Sequence, residues 1–184
     1  MRTNLQAWRL FAASLSLLLL PACLKTQADG VPRENDSMRT IASAGPIELE
    51  TAPKQVSLRT EKPLASLLDT LGPGQHLYLV LRGLRADEQP GVLYHLYLGP
   101  GADDARYIGT FNFYDAIPIR DENETAPLPS GFNSYDITEL ATTLRGRGML
   151  SEPTTVTIKA GGTPPPGSKP VIGRIELVVQ SDRI

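Results

Sequence analysis

The sequence predicts an all-β fold, an antiparallel β-sandwich of about seven strands with one or two short helices. Three observations lead there. Short apolar runs alternate with polar residues at period two between residues 47 and 179. Sixteen prolines and sixteen glycines leave little room for long helices in a chain of 184 residues. Loops rich in Gly, Pro, Asp and Ser separate most of the runs.

The first strand signals are Ile47-Glu-Leu-Glu50 and Val56-Ser-Leu58. Leu64, Leu67, Leu68 and Leu71 then share a helical face, so Pro63 to Leu71 reads as a short helix. In His76 to Arg82, Leu77, Leu79 and Leu81 fall on one face of a strand. Val92 to Leu98 is a second such run. Folding the two as a hairpin about Asp87 and Glu88 sets Leu77, Leu79 and Leu81 against Leu98, Leu96 and Tyr94. A loop at 99–105 leads to Arg106 to Phe113, with Phe111 and Phe113 on one side.

Residues 121–130 form a polar loop, and Phe132 to Tyr135 enters an edge strand. Asp136 caps a helix, Glu139 completes a capping-box pattern, and Ile137, Leu140, Ala141 and Leu144 recur at helical spacing. Gly146 ends that helix. The last strands are Thr155 to Ala160 and Val171 to Val179. The Pro164-Pro-Pro166 stretch between them cannot continue a ladder, because proline has no N–H to donate.

The chain opens differently. Arg2 and Arg9 precede an apolar run from Leu10 to Leu20, too short for the roughly 20 residues that cross a bilayer. A charged start, a short apolar core and a small residue before the cut make residues 1–22 a secretory signal peptide. Leu20-Pro-Ala-Cys23 resembles the bacterial lipoprotein leader, in which the cysteine thiol receives a diacylglycerol and the new amino end an acyl chain such as palmitate. That resemblance implies lipidation at Cys23. Cys23 is the only cysteine, so it has no partner for an internal disulfide. Leu24 rather than aspartate follows it, which in that family implies the outer membrane of a Gram-negative bacterium. Residues 24–45 are polar and mixed in charge with no apolar period. The domain plan is therefore a leader at 1–22, a lipidated cysteine and flexible tether at 23–45, and a sandwich at 46–184.

Once Arg2 and Arg9 leave with the leader, 18 basic and 20 acidic residues become a net charge of −4. No basic stripe is present, which argues against nucleic-acid binding. Candidate chemistry is sparse. In the hairpin, His76 and His95 lie four positions apart, about 13 Å, too far for one metal ion. No Gly-x-Ser-x-Gly elbow is present. Asp103-Asp104 and Asp121-Glu122 read as solvated loop charge rather than acid–base pairs or a calcium site. Arg145-Gly-Arg-Gly148 fits a helix end, where cations suit the dipole. Asn123-Glu-Thr125 matches a glycosylation triplet with little meaning in a bacterial lipoprotein. The expectation is a protein without cofactor or metal and without catalysis of its own.

Five stretches together carry a further resemblance: His76 to Leu84, Gly91 to Leu98, Tyr107 to Phe113, Tyr135 to Thr138 and Val171 to Leu177. They resemble the β-sandwich domain that follows the copper domain in bacterial tyrosinase-like proteins and plant polyphenol oxidases. The copper pair of that family uses six histidines on a helical bundle, and this chain has two. In the family the appended domain packs over the copper domain and in some members shields its entrance. The resemblance implies an accessory module that binds or shields a tyrosinase-like partner, with Phe111, Phe113 and Tyr114 as candidate contacts. The alternative is an envelope lipoprotein that is structural or ligand-binding and has no such partner.

Overall fold

In the computed structural model, residues 38–116 and 131–182 are described, and they form a sandwich of two antiparallel sheets. The strands are β1 (Met38–Ala44), β2 (Ile47–Glu48), β3 (Lys54–Leu58), β4 (Gln75–Arg85), β5 (Tyr94–Leu98), β6 (Tyr107–Phe111), β7 (Gly131–Asp136), β8 (Thr154–Ala160) and β9 (Val171–Ser181). Two short helices, α1 (Leu64–Asp69) and α2 (Thr138–Gly146), join them. One sheet runs β1-β9-β4-β7, with β2 also paired to β9; the other runs β3-β8-β5-β6.

The all-β sandwich is as the sequence predicts, but the described residues hold nine strands. Eight of them lie on runs read as strands in the sequence, and the ninth, β1, lies where the sequence suggests tether. Met38–Ala44 pairs with β9 from Gln180 to Ile175, with a bulge at Ile41. Its apolar residues, Met38, Ile41, Ala42 and Ala44, follow no regular alternation, and Ala42 alone is buried. Backbone hydrogen bonds to β9 hold it, and those leave no apolar period in a sequence. Met38–Ala44 therefore belongs to the sandwich, ahead of the expected start at residue 46. Residues 1–37, with the leader and Cys23, lie outside the described residues.

The β4–β5 hairpin is also corrected. β4 lies between β9 and β7, while β5 lies between β8 and β6 in the opposite sheet. Alternation decides which side chains face inward, not which strand lies alongside. Residues 86–93 cross from sheet to sheet, so the two apolar rows meet face to face across a core of about 10 Å. Leu77, Leu79 and Leu81 line one wall of it; Tyr94, Leu96 and Leu98, with Val56, Val156 and Ile158 beside them, line the other. Burying a side chain of this size contributes about 1.5–3 kcal/mol.

Gly83 marks a bulge in β4. Its φ of +67° suits glycine, and the register slips there between Arg82 and Leu84. The neighbouring Gly173 of β9 packs so closely that a Cβ on it would stand 3.1 Å from the Gly83 carbonyl oxygen.

The helices close the Leu77 end. The Ile137 N–H donates to Leu77 O at 2.8 Å, and the Leu77 N–H donates to Thr138 Oγ1 at 2.8 Å. Leu64 and Leu68 of α1 and Ala141 and Leu144 of α2 join the core. The N-cap of α2 is Ile137 rather than Asp136, which stands one residue ahead and whose Oδ1 accepts the Thr138 N–H at 2.9 Å. Among the described residues no bond from Glu139 closes a capping box. Gly148 rather than Gly146 makes the left-handed stop. At φ +67°, it donates to Arg145 O while the Met149 N–H reaches Leu144 O, the Schellman pattern.

Candidate functional site

Of the three candidate contact residues, two are core. Phe111 is 3% exposed and Phe113 1%, and both pack on the buried ring of Tyr94. The Tyr94 and Phe111 rings stack at 5.4 Å, and Phe113 meets Tyr94 edge-on at 5.4 Å. This corrects the expectation that they form a contact surface. Period-two alternation places them on one face, and that face turns inward. Tyr114 begins a short 3-10 turn at Tyr114–Ala116 and is 64% exposed. Burial raises the pKa of the Tyr94 phenol, whose oxygen has no hydrogen-bond partner among the described residues.

The two histidines lie in different sheets. His76 Nδ1 is 2.9 Å from Asp136 Oδ2, and its Nε2 is 3.6 Å from Asp182 Oδ1. Burial works to raise the Asp136 pKa, but bonds from the Thr138 hydroxyl and N–H, together with His76, outweigh it and hold the carboxyl below its ordinary value. Burial first, then Asp136 and Asp182, raise the pKa of the neighbouring Tyr78. His95 packs at 6.3 Å from the Tyr107 ring. Among the described residues no group of three or more His, Cys, Asp or Glu side chains is arranged to hold a metal ion.

The other charged candidates have structural partners. Asp103 receives Arg106 Nε at 3.1 Å, and Arg106 Nη1 donates to Leu98 O and Met149 O at 3.2 and 2.9 Å. This nearly buried guanidinium ties the β5–β6 connection to the segment before β8. Arg145 pairs with Asp69 and so joins α2 to α1. Asp121-Glu122 and Asn123 to Thr125 lie outside the described residues.

What sequence reasoning missed is a groove of about 770 Å³ at the end of the sandwich opposite the helices. Three segments build it: residues 48–51 after β2, residues 85–87 at the close of β4, and the proline loop that leads into β9. The Leu49 N–H donates to Pro170 O at 2.9 Å, and the Asp87 N–H to Ser168 O at 2.8 Å. The proline segment is thereby held between the other two. Ser168 is fully buried and donates through Oγ to Pro165 O at 2.7 Å. Lys169 has φ +38°, rare for a residue with a side chain, and its Nζ reaches Asp87 Oδ2 at 3.1 Å. Val171 pairs with Glu48 on one side and Arg85 on the other, so an acid and an arginine flank it on one face of the sheet. In the sequence these segments stand far apart, and residues 47–50 read as a strand while the other two read as loop.

No family model and no curated protein matches the chain. Among solved structures, 13 chains match it. The chain is similar to polyphenol oxidases. Latent apple tyrosinase is 16% identical, with a TM-score of 0.43 over 74% of this chain and 28% of that one. A recombinantly expressed latent aurone synthase, a polyphenol oxidase, is 16% identical, with a TM-score of 0.44 over 76% of this chain and 26% of that one. The chain spans little more than a quarter of the length of these proteins. The sandwich assignment itself rests on the two sheets and their register.

Proposed function

We propose that this chain is a lipid-anchored module of the bacterial cell envelope, set in the outer membrane, that holds a partner and catalyses nothing itself. The observation that carries this reading is Leu20-Pro-Ala-Cys23 after a charged start and a short apolar run, with Cys23 the chain's single cysteine. Two acyl signals anchor a protein stably, where one chain binds only marginally. The non-catalytic part is supported by the structural use of the conspicuous polar side chains, His76 between Asp136 and Asp182 and Arg106 between two carbonyls and Asp103. The partner proposed is a tyrosinase-like copper protein, on the strength of the five strand stretches, with Tyr114 as the contact residue left at the surface. Cross-linking in intact cells, followed by purification of the lipoprotein from membranes, tests the partner. A copper protein recovered at a near-equal ratio is expected, and its absence overturns this part of the reading.

A second reading is a free-standing envelope lipoprotein that binds a ligand. The groove beside Val171 favours it, since its volume falls in the range of about 300–1,000 Å³ typical of small-molecule sites.

A further inference from the structure

We propose that the groove at the Arg85 end of the sandwich binds a short peptide with free termini, its ammonium against Glu48 and Glu50 and its carboxylate against Arg85. The inference rests on the ligand-binding reading and is independent of the lipid anchor and of any copper protein.

The charges are arranged for such a ligand. Glu48, Val171 and Arg85 are direct neighbours across three strands. Opposed residues point to the same face of a sheet, so the acid and the guanidinium stand over one floor, two strand spacings or roughly 9.5 Å apart. An extended tripeptide spans at most about 10 Å between its ends. Among the described residues, Glu48, Glu50 and Arg85 belong to no ion pair, whereas Lys169 and Asp87 neutralise each other. The uncompensated charges are therefore two acids on one rim and one arginine on the other.

The walls suit a peptide body. Leu49 and Ala86 are buried beside the groove, and Pro164 and Pro170 are buried in its proline wall. Prolines have fixed φ and no N–H, so this wall loses little entropy on binding and presents apolar rings to small side chains. Lys169 is held in its uncommon backbone conformation by the neighbouring bonds of Ser168 and Pro170, so the wall is pre-formed. The exposed Thr51 and Thr163 also line the groove, and neither hydroxyl is hydrogen-bonded among the described residues. Both are open to peptide amides. The groove lies at the far end of β9 from Gln180, the partner of Met38, so the chain enters the sandwich about 30 Å away from it.

The test is a titration of the full mature chain in detergent with trialanine, N-acetyl-trialanine and trialanine amide. It is followed through the backbone amide resonances of Leu49, Ala86 and Lys169. Saturable shifts with trialanine are expected, with each capped peptide binding roughly fivefold more weakly, as for a single partly exposed charge pair. Arg85→Gln should erase the penalty for the amide and keep that for the acetyl group, and Glu48→Gln with Glu50→Gln should do the reverse. Equal binding of all three peptides overturns the proposal while leaving a ligand groove in place. No shift with any of them overturns the proposal and the ligand-binding reading together.

Discussion

The ring of Tyr135 lies over Gly109: a Cβ on that glycine would stand 2.8 Å from Cε1 of the tyrosine. Tyr135 belongs to β7, an edge of one sheet, and Gly109 to β6, an edge of the other. The Tyr135 hydroxyl donates to Thr110 O at 2.7 Å. Through this contact one side chain closes the side of the sandwich between two edge strands, which otherwise offer unpaired backbone to other chains. Gly109→Ala is expected to destabilise the fold by about 1–3 kcal/mol in urea unfolding, since the ring must move. In a Tyr135→Leu background the same change should cost much less. Equal costs in both backgrounds would show that the contact does not bear on stability.

The same tyrosine contributes to the alkaline limit. Burial, and secondarily Tyr107, pushes its pKa from 10.0 up to about 12. The unfolded chain loses this proton first, so the stabilisation is complete below pH 10 and disappears as pH rises through the folded value. Stability should fall between about pH 10 and 12, and Tyr135→Phe should reduce the slope. A slope unchanged in the variant would assign the alkaline loss elsewhere.

At the acid limit Asp136 acts in the opposite direction. Its pKa is lowered from 3.8 because bonds from Thr138 and His76 outweigh burial. Its stabilisation is present above the unfolded value and is lost as pH falls through the depressed one. Asp136→Asn should flatten the stability curve below about pH 4, checked by urea midpoints across the acid range. Its effect at neutral pH should stay modest, because the carboxylate is part exposed and solvent screens its interactions.

Arg106 is the most heavily used cation in the described residues, with bonds to Leu98 O, Met149 O and Asp103. Arg106→Met leaves two carbonyls without this donor and should cost about 2–3 kcal/mol in urea unfolding. Arg106→Lys should recover only part, since an ammonium lacks the fork that reaches all three acceptors. Full recovery by lysine would show that charge alone matters.

The parts of the fold legible in the sequence are those written as periodicity. The N-cap of α2 falls at Ile137, one residue past Asp136, but the inward rows Leu77-Leu79-Leu81 and Tyr94-Leu96-Leu98 and both helices emerge from spacing alone. Their partners do not, because the same alternation satisfies a hairpin or a two-sheet core, and only the path of residues 86–93 decides between them. β1 escapes because its apolar residues follow no regular alternation and its bonds to β9 are backbone bonds. Alternation puts Phe111 and Phe113 on one face without giving its direction, and it is the family resemblance that makes them candidate contacts. The groove is illegible for another reason: Glu48, Arg85 and Val171 become neighbours only through pairing across three strands.

The anchor is tested most directly by the intact mass of the amino-terminal peptide from the purified mature protein. The account predicts that it begins at Cys23 and carries a thioether-linked diacylglycerol and an acylated amino group, both lost in Cys23→Ala, which should leave the protein free of the membrane. An unmodified Cys23, or a chain still bearing residues 1–22, would contradict it.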